Sequence, residues 1–279
     1  MANRKPQKIL VTGGGGFLGS AIVRLLAQRG DHIRSLARSF YPELASLEVE
    51  QIRGDISNYE SVEKACSGIH TVFHVAAKAG VWGDYALYYN TNFIGTQNVI
   101  AACRQHNVSQ LIYTSSPSVI FTGTDQEGID ESAPYPNRFH TAYQKTKALA
   151  EQLVVAAAGK DLLTIVLRPH LIWGPHDNHL VPRIITRAKR LAIVGKGKNL
   201  VDTIYIDNAA YAHILAADKL EQRHELSGNI YFVSQGKPVA LWDMINAILK
   251  AAGRDPVQQS ISYKQHGPSE PPLNLFIRY

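Results

Sequence analysis

Two groups of residues in this sequence have the types and spacing to do chemistry. The first is Thr12-Gly13-Gly14-Gly15-Gly16-Phe17-Leu18-Gly19. A glycine at position 13 permits a tight turn, and the middle glycines let backbone approach an anion with no Cβ in the way. Gly19 lets a following helix pack close to a sheet. The apolar run Ile9-Leu10-Val11 precedes the glycines. After them Ile22, Val23, Leu25 and Leu26 fall on one side of a helical pattern, with Arg24, Gln28 and Arg29 on the other. Strand, glycine turn and helix is the context that holds a dinucleotide pyrophosphate, because a helix N-terminus offers unpaired N–H groups and a partial positive charge. The second group is Tyr143 and Lys147, with the serine cluster Thr114-Ser115-Ser116-Pro117-Ser118 where an apolar strand ends. Residues four apart on a helix share one face. A lysine ammonium favours the phenolate of a nearby tyrosine, whose free pKa near 10 is too high for proton transfer at neutral pH. A serine hydroxyl can stabilise charge developing on an oxygen. Each pattern alone is weak: glycine runs make flexible turns, serine clusters make turns, and a Tyr-x-x-x-Lys arises by chance.

Their placement gives them weight. Strand and helix patterns alternate through most of the chain, which predicts βαβ units and a parallel sheet covered on both faces. Strands are expected at His32 to Ala37, Val49 to Arg53, Thr71 to Val75, Gln110 to Tyr113 and Leu163 to Leu167. Helices are expected from near Tyr59, over Asn90 to Gln105 and from Tyr143 onward. Asp55 either caps the helix near Tyr59 or lies near an adenine. Ala76-Ala77-Lys78 ends the fourth strand with small residues, leaving room for a ligand at the switch point. The loop from Ala79 to Tyr85, with Trp82, either packs or lines a substrate pocket. The second strand ends Leu36-Ala37-Arg38-Ser39 where an NAD site usually carries an acid for the ribose 2′-OH. An arginine there suits a 2′-phosphate, so NADP(H) is expected to be preferred, with NAD(H) as the alternative and a plain surface arginine as the simplest one.

Bulk properties bound the reading. The 279 residues are 45% hydrophobic and 19% charged, a globular composition with room for one or two domains. Lys and Arg exceed Asp and Glu by 29 to 23, giving +6 without any block of like charge. No zinc-finger, basic–aromatic or heptad pattern points to nucleic acid. No clustered His, Cys and carboxylate set suggests a metal. Cys66 and Cys103 read as small buried residues of a reduced cytoplasmic protein. The first eight residues are basic with no apolar segment behind them, so no signal peptide is expected, and no run is long enough to span a bilayer.

Gly13-x-x-Gly16-x-x-Gly19, Ser116 and Tyr143-x-x-x-Lys147 together resemble an extended short-chain dehydrogenase/reductase. Tyr113 to Val119, Leu167-Arg168-Pro169-His170-Leu171-Ile172-Trp173-Gly174-Pro175 and Tyr205 to Ala210 are similar to its 3β-hydroxysteroid dehydrogenase/isomerase-like branch. The likeness runs from Lys8 to about Lys264. It implies a Rossmann-type doubly wound parallel sheet over residues 1–172, with part of 201–220 returning to it, and a smaller substrate domain over 173–279. In that domain a polar insert at Gly174 to His179, a basic helix over Val181 to Arg190, a strand over Val201 to Ile206, a helix from Asn208 to Leu220, a strand over Asn229 to Val233 and a helix over Leu241 to Ala251 are expected. The resemblance implies Ser116, Tyr143 and Lys147 as catalytic residues, with Ser115 as the fallback for Ser116. It implies a cofactor path along Gly13, Gly15, Gly16, Phe17, Leu18, Arg38, Asp55, Ile56, Ala76, Ala77, Lys78, Asn92, Thr114, Tyr143, Lys147, Pro169 and His170. His170 reads as packing near the nicotinamide. Trp82, Ser116 and Tyr143 would face the substrate.

The function implied is reduction of a 3-oxo group, or oxidation of the 3-hydroxyl, on a hydrophobic substrate such as a 2-alkyl-3-oxoalkanoate. The alternatives are a 3β-hydroxysteroid or sterol dehydrogenase, a nucleotide-sugar epimerase or dehydratase, and a non-catalytic NADP sensor. Relatives dimerise through the helices that here are Asn90–Gln105 and Tyr143–Ala157, so a homodimer is also implied. Between Lys189 and Arg190 the chain is shorter than those relatives by a residue or two, and after Lys264 the likeness stops abruptly. Residues are therefore expected to be missing at both places, including part of the segment that covers the substrate.

Overall fold

Alternation of apolar strands and amphipathic helices produces a seven-stranded sheet in the computed structural model, which describes residues 5–80 and 82–262. In chain order the strands and helices are β1 (Lys8–Thr12), α1 (Phe17–Gln28), β2 (His32–Ala37), α2 (Pro42–Ala45), β3 (Glu50–Arg53), α3 (Tyr59–Cys66), β4 (Thr71–His74), α4 (Tyr85–Tyr88), α5 (Gly95–Gln105), β5 (Gln110–Thr114), α6 (Ala142–Ala157) and β6 (Leu163–Pro169). There follow β7 (Leu171–Trp173), α7 (Leu180–Thr186), β8 (Ile193–Val194), β9 (Leu200–Val201), β10 (Thr203–Tyr205), α8 (Ile206–Gln222), β11 (Ile230–Val233), β12 (Val239–Ala240), α9 (Leu241–Ala251) and β13 (Ser260–Ile261). The large sheet runs β11-β6-β5-β4-β1-β2-β3 with all pairs parallel. Chain order reverses between β1 and β4, so the crevice at their C-terminal ends is where a doubly wound sheet binds its ligand.

Strand alternation sends Leu10, Leu36, Val72, Leu111, Tyr113 and Val166 to one face. There they bury against Val62 and Cys66 of α3, Val99 and Cys103 of α5, and Ala150 and Val154 of α6. A fully buried side chain of this size contributes roughly 1.5–3 kcal/mol, so this cluster is a large stabilising term for the first unit. Elsewhere in that unit Arg29, which caps the C-terminal end of α1, pairs with Asp218 of α8 at 2.8 Å. Contacts divide the chain in two. One unit holds the described residues up to Pro169 and Asp207–Val233; the other holds His170–Ile206 and the described residues from Ser234 onward. The second unit has its own core of Ile184, Leu191, Val201, Leu241, Trp242, Ile245, Leu249 and Val257.

Several local expectations change. The helix expected from Asn90 begins at Tyr85: a π-helical segment, Tyr89–Ile94, joins α4 to α5 in one run. Asp55 does not cap α3. Asn58 does, accepting from Ser61 N at 2.8 Å, while Asp55 closes its own turn on Ser57 N at 2.9 Å. The basic helix ends at Thr186 and passes through Arg187 into a short 3-10 turn, Ala188–Arg190. The strand expected over Val201 to Ile206 is broken at Asp202, and Ile206 already belongs to α8. The strand at Ile230–Val233 pairs with β6 on the large sheet, because backbone pairing along Val166 to Pro169 outweighs its position late in the chain. Residues 263–279 and Val81 lie outside the described residues.

Candidate active site

The glycine turn leaves β1 through Gly13, whose φ of +71° is a conformation that L side chains rarely adopt. A Cβ on Gly19 would overlap the Gly13 carbonyl oxygen, and the turn is closed by Gly16 N donating to Gly13 O at 2.9 Å. Gly16 is the N-cap of α1 and supplies no side-chain cap. The first N–H groups of this twelve-residue helix therefore face outward at its positive end. That cradle fits a pyrophosphate. Beside it, Gly13 N donates to Leu36 O at 2.8 Å, tying the turn to the end of β2, and the exposed Arg38 follows two residues on.

A closed polar network lies behind the turn. Thr12 Oγ1 accepts from Val75 N and Ala76 N, at 3.1 and 3.2 Å, so its own proton goes to His74 Nδ1 at 2.8 Å. His74 must then donate from Nε2 to Thr96 Oγ1 at 3.0 Å, and Thr96 donates to Asn92 O at 2.6 Å. Every proton in this chain is assigned by its partner. Burial, and the Lys147 charge secondarily, push the His74 pKa down to about 3, so the imidazole is neutral as the network requires. Asn92 accepts from Lys78 N at 2.8 Å and donates to Lys78 O at 3.1 Å and Thr146 Oγ1 at 3.0 Å. Its amide thus clamps the exit of β4 against α6.

α6 starts where Thr141 accepts from Gln144 N at 3.1 Å and Gln144 accepts from His140 N at 2.8 Å, a capping box displaced by one residue. This fixes Tyr143, half-buried, in the first turn and Lys147 one turn below it. Lys147 is 2% exposed. Its Nζ donates to Tyr113 Oη and to Thr114 O, both at 2.7 Å, and stands 4.1 Å from the Tyr113 ring centroid. Burial pushes its pKa down to about 7, with Glu151 one turn further along opposing the shift. Sequence reasoning treats this lysine as a plain ammonium; in the fold its charge is poised near neutrality. Glu151 is itself fully buried. It accepts from Arg168 Nε at 3.1 Å and from Tyr135 Oη at 2.8 Å.

β5 delivers the serines. Ser115 N donates to Leu167 O at 2.6 Å, and its hydroxyl is buried with no hydrogen-bond partner among the described residues. Ser116 is half-buried and caps the 3-10 turn Pro117–Ile120, its Oγ accepting from Ser118 N at 3.2 Å. That arrangement leaves the Ser116 hydroxyl proton free to donate. Thr114 is held from α8: its Oγ1 donates to His213 Nε2 at 2.9 Å, because His213 Nδ1 donates to Ala209 O at 2.7 Å. Burial pushes the His213 pKa down to about 4.

Among the other expected residues, Ile56 is buried and its carbonyl accepts from Asn98 Nδ2 at 3.0 Å. Trp82 is 65% exposed, its carbonyl accepting from Tyr88 Oη at 3.0 Å. Pro169 ends β6 in the first unit, whereas His170 opens the second. There burial lowers the His170 pKa and Asp202 opposes the shift. His74, His213 and Glu151 are absent from the residues singled out in sequence, and Tyr113 enters there only as the start of a family-like stretch. Tyr113 alone had a signal, since it precedes Thr114-Ser115-Ser116 on an inward-facing strand position. No group of three or more His, Cys, Asp or Glu able to hold a metal occurs among the described residues, and no helix there is long and apolar enough to cross a membrane.

A doubly wound sheet with a glycine cradle, and a Tyr–Lys pair one turn apart beside a serine-ended strand, defines a nicotinamide-dependent oxidoreductase of the extended short-chain dehydrogenase/reductase type. Residues 10–263 match the 3-beta hydroxysteroid dehydrogenase/isomerase family, and the chain belongs to it. It is 49% identical over 261 residues to the 2-alkyl-3-oxoalkanoate reductase of Stenotrophomonas maltophilia, covering 92% of this chain and 79% of that one. It is 35% identical over 264 residues to the decarboxylating sterol-4-alpha-carboxylate 3-dehydrogenase of Mus musculus, covering 93% and 72%. Among solved structures, the UDP-glucose 4-epimerase of Thermus thermophilus in complex with NAD superposes with a TM-score of 0.75 at 28% identity, covering 97% of this chain and 92% of that one.

Proposed function

We propose that the protein is an NADP(H)-dependent oxidoreductase that reduces the 3-oxo group of a 2-alkyl-3-oxoalkanoate. The observation that carries this reading is the 49% identity, over 92% of the chain, to a reductase of that name. The two relatives described above have names with a common chemistry: a carboxylate on the carbon next to the one bearing the reacting oxygen. The substrate proposed here is thus a hydrophobic 3-oxo acid branched at its α-carbon. The second reading, a 3β-hydroxysteroid or sterol dehydrogenase, is favoured by the 35% identity to the sterol-4-alpha-carboxylate enzyme.

The glycine cradle with Phe17 and Leu18 holds the pyrophosphate, Arg38 the 2′-phosphate, and Asp55, Ile56 and the Ala76-Ala77-Lys78 exit the adenosine half and its flank. Asn92 acts through its clamp on Lys78. Thr114 and Pro169 flank the nicotinamide. When bound, that ring supplies the hydride. Tyr143 gives its phenolic proton to the substrate oxygen, and Ser116 hydrogen-bonds the same oxygen as charge builds on it. Lys147 keeps one N–H beyond the two committed to Tyr113 and Thr114. With it the ammonium favours loss of the Tyr143 proton and hydrogen-bonds the nicotinamide ribose. Trp82, from the loop after β4, faces the hydrocarbon part of the substrate. The protein works in the cytoplasm.

The test is loss of NADPH absorbance with a 2-alkyl-3-oxo fatty acid, run beside NAD⁺ with a 3β-hydroxysteroid. Turnover only with the oxo acid and NADPH supports the first reading. Turnover only with the steroid establishes the second.

A further inference from the structure

The dinucleotide pattern needs glycine at positions 13, 16 and 19, yet this chain also carries glycine at 14 and 15. The fold explains both. A Cβ on Gly14 would strike the Ser35 hydroxyl of β2. A Cβ on Gly15 would overlap three ring carbons of Tyr41, Cγ, Cδ2 and Cε2. The Tyr41 ring is thus seated against the glycine turn itself, on the side from which β2 emerges. It is held there from β3. Tyr41 N donates to Gln51 Oε1 at 2.9 Å and Gln51 Nε2 donates to Tyr41 O at 3.0 Å, so one side chain grips both backbone groups of one residue. Gln51 in turn stands opposite Ser35 in the β2–β3 register, and Pro42 starts α2 directly after the ring. Arg38, three residues before, is pinned by Arg53 Nε donating to its carbonyl at 3.2 Å, while its exposed guanidinium has no partner among the described residues.

We propose that Tyr41 forms the wall of the adenosine end of the cofactor site and, together with Arg38, recognises a ribose 2′-phosphate. This rests on the NADP(H) reading above. An aromatic ring against the turn limits where a ribose can lie. Its hydroxyl is a neutral donor on a residue three positions from the arginine fork, and a donor with a guanidinium suits a dianion better than either alone. Gly15 and Tyr41 are a matched pair: the missing Cβ makes the space that the ring fills.

Isothermal titration of the purified protein with 2′,5′-ADP and with 5′-AMP tests this without turnover. The unchanged protein should bind 2′,5′-ADP the more tightly. Tyr41→Ala should cut that preference about tenfold, and Tyr41→Phe, which keeps the ring, should cut it severalfold, as for loss of one charge-assisted hydrogen bond. Gly15→Ala should weaken both ligands, and adding Tyr41→Ala should restore 5′-AMP binding. Equal affinity of the unchanged protein for the two nucleotides overturns the NADP(H) reading and this inference with it. A preference that falls in Arg38→Ala but holds in Tyr41→Ala and Tyr41→Phe overturns this inference alone.

Discussion

At the glycine turn a methyl group has nowhere to go: a Cβ on Gly19 overlaps the Gly13 carbonyl, and one on Gly15 overlaps a tyrosine ring. At Lys147 the opposite holds. The ammonium is buried and every neighbour that grips it is a polar group that has to be present. One end of the site is defined by atoms left out, the other by atoms put in and paired. The turn end is consequently broken by adding a carbon and the lysine end by removing an oxygen. An open end can admit a bulky dianion. A closed end can hold one proton in one place.

The largest effect expected at the closed end is on turnover. Tyr143→Phe removes the proton and leaves the scaffold, so kcat should fall by about 10³-fold while NADPH still binds, within the usual range for a general acid. Activity near that of the unchanged protein would remove Tyr143 from the mechanism. Next comes the scaffold. Thr12→Val keeps the shape but strands three groups, Val75 N, Ala76 N and His74 Nδ1. Loss of about 2–3 kcal/mol of unfolding free energy should follow, the cost of unpaired buried groups. Gly19→Ala, at the open end, should impair NADPH binding well before it impairs folding. If urea titration of the two variants reversed that pattern, the division between the ends would not hold.

Acid should unpick the closed end as well. His74 and His213 are held neutral, with pKa values near 3 and 4, whereas the unfolded chain protonates both near 6.5. Below 6.5 the unfolded state binds the extra protons. The stability is therefore whole above about pH 6.5 and drains as pH falls toward 4 and then 3. Urea melts between about pH 6 and pH 5, above most carboxylate titration, should report uptake of about two protons on unfolding. Uptake near zero would mean that the two imidazoles are not buried neutral.

The same contrast explains what was legible in the sequence. The open end was, because glycine spacing, a preceding apolar strand and a following amphipathic helix are local signals. The parallel sheet followed from βα alternation. The closed end was legible only in Ser116, Tyr143 and Lys147, which carry the family pattern. What holds them looks ordinary in sequence, whether close by, as Tyr113 and Glu151 are, or far off, as His74 and His213 are. Tyr113 and His74 read as strand residues, His213 as part of a helix, and Glu151 as one more charge on α6. The one misplaced strand has a related cause: Ile230–Val233 carries no mark of which sheet it will join, since pairing with β6 is a tertiary choice.

The smallest expected effect is also the one that bears most directly on the lysine. With its pKa near 7, Lys147 loses its charge over the range in which such enzymes are assayed. The pH dependence of kcat/KM reports groups in the free enzyme. For oxo-acid reduction it should fall as pH rises through about 7, about tenfold per unit beyond it. Tyr113→Phe keeps the ring but removes one acceptor for the Lys147 ammonium, so the limb should move to lower pH while its steepness is kept. Lys147→Arg stays charged throughout and should lose the limb, whatever activity it retains. A limb that ignored both substitutions would belong to another group, and the closed network around Lys147 would then be architecture without influence on the proton it surrounds.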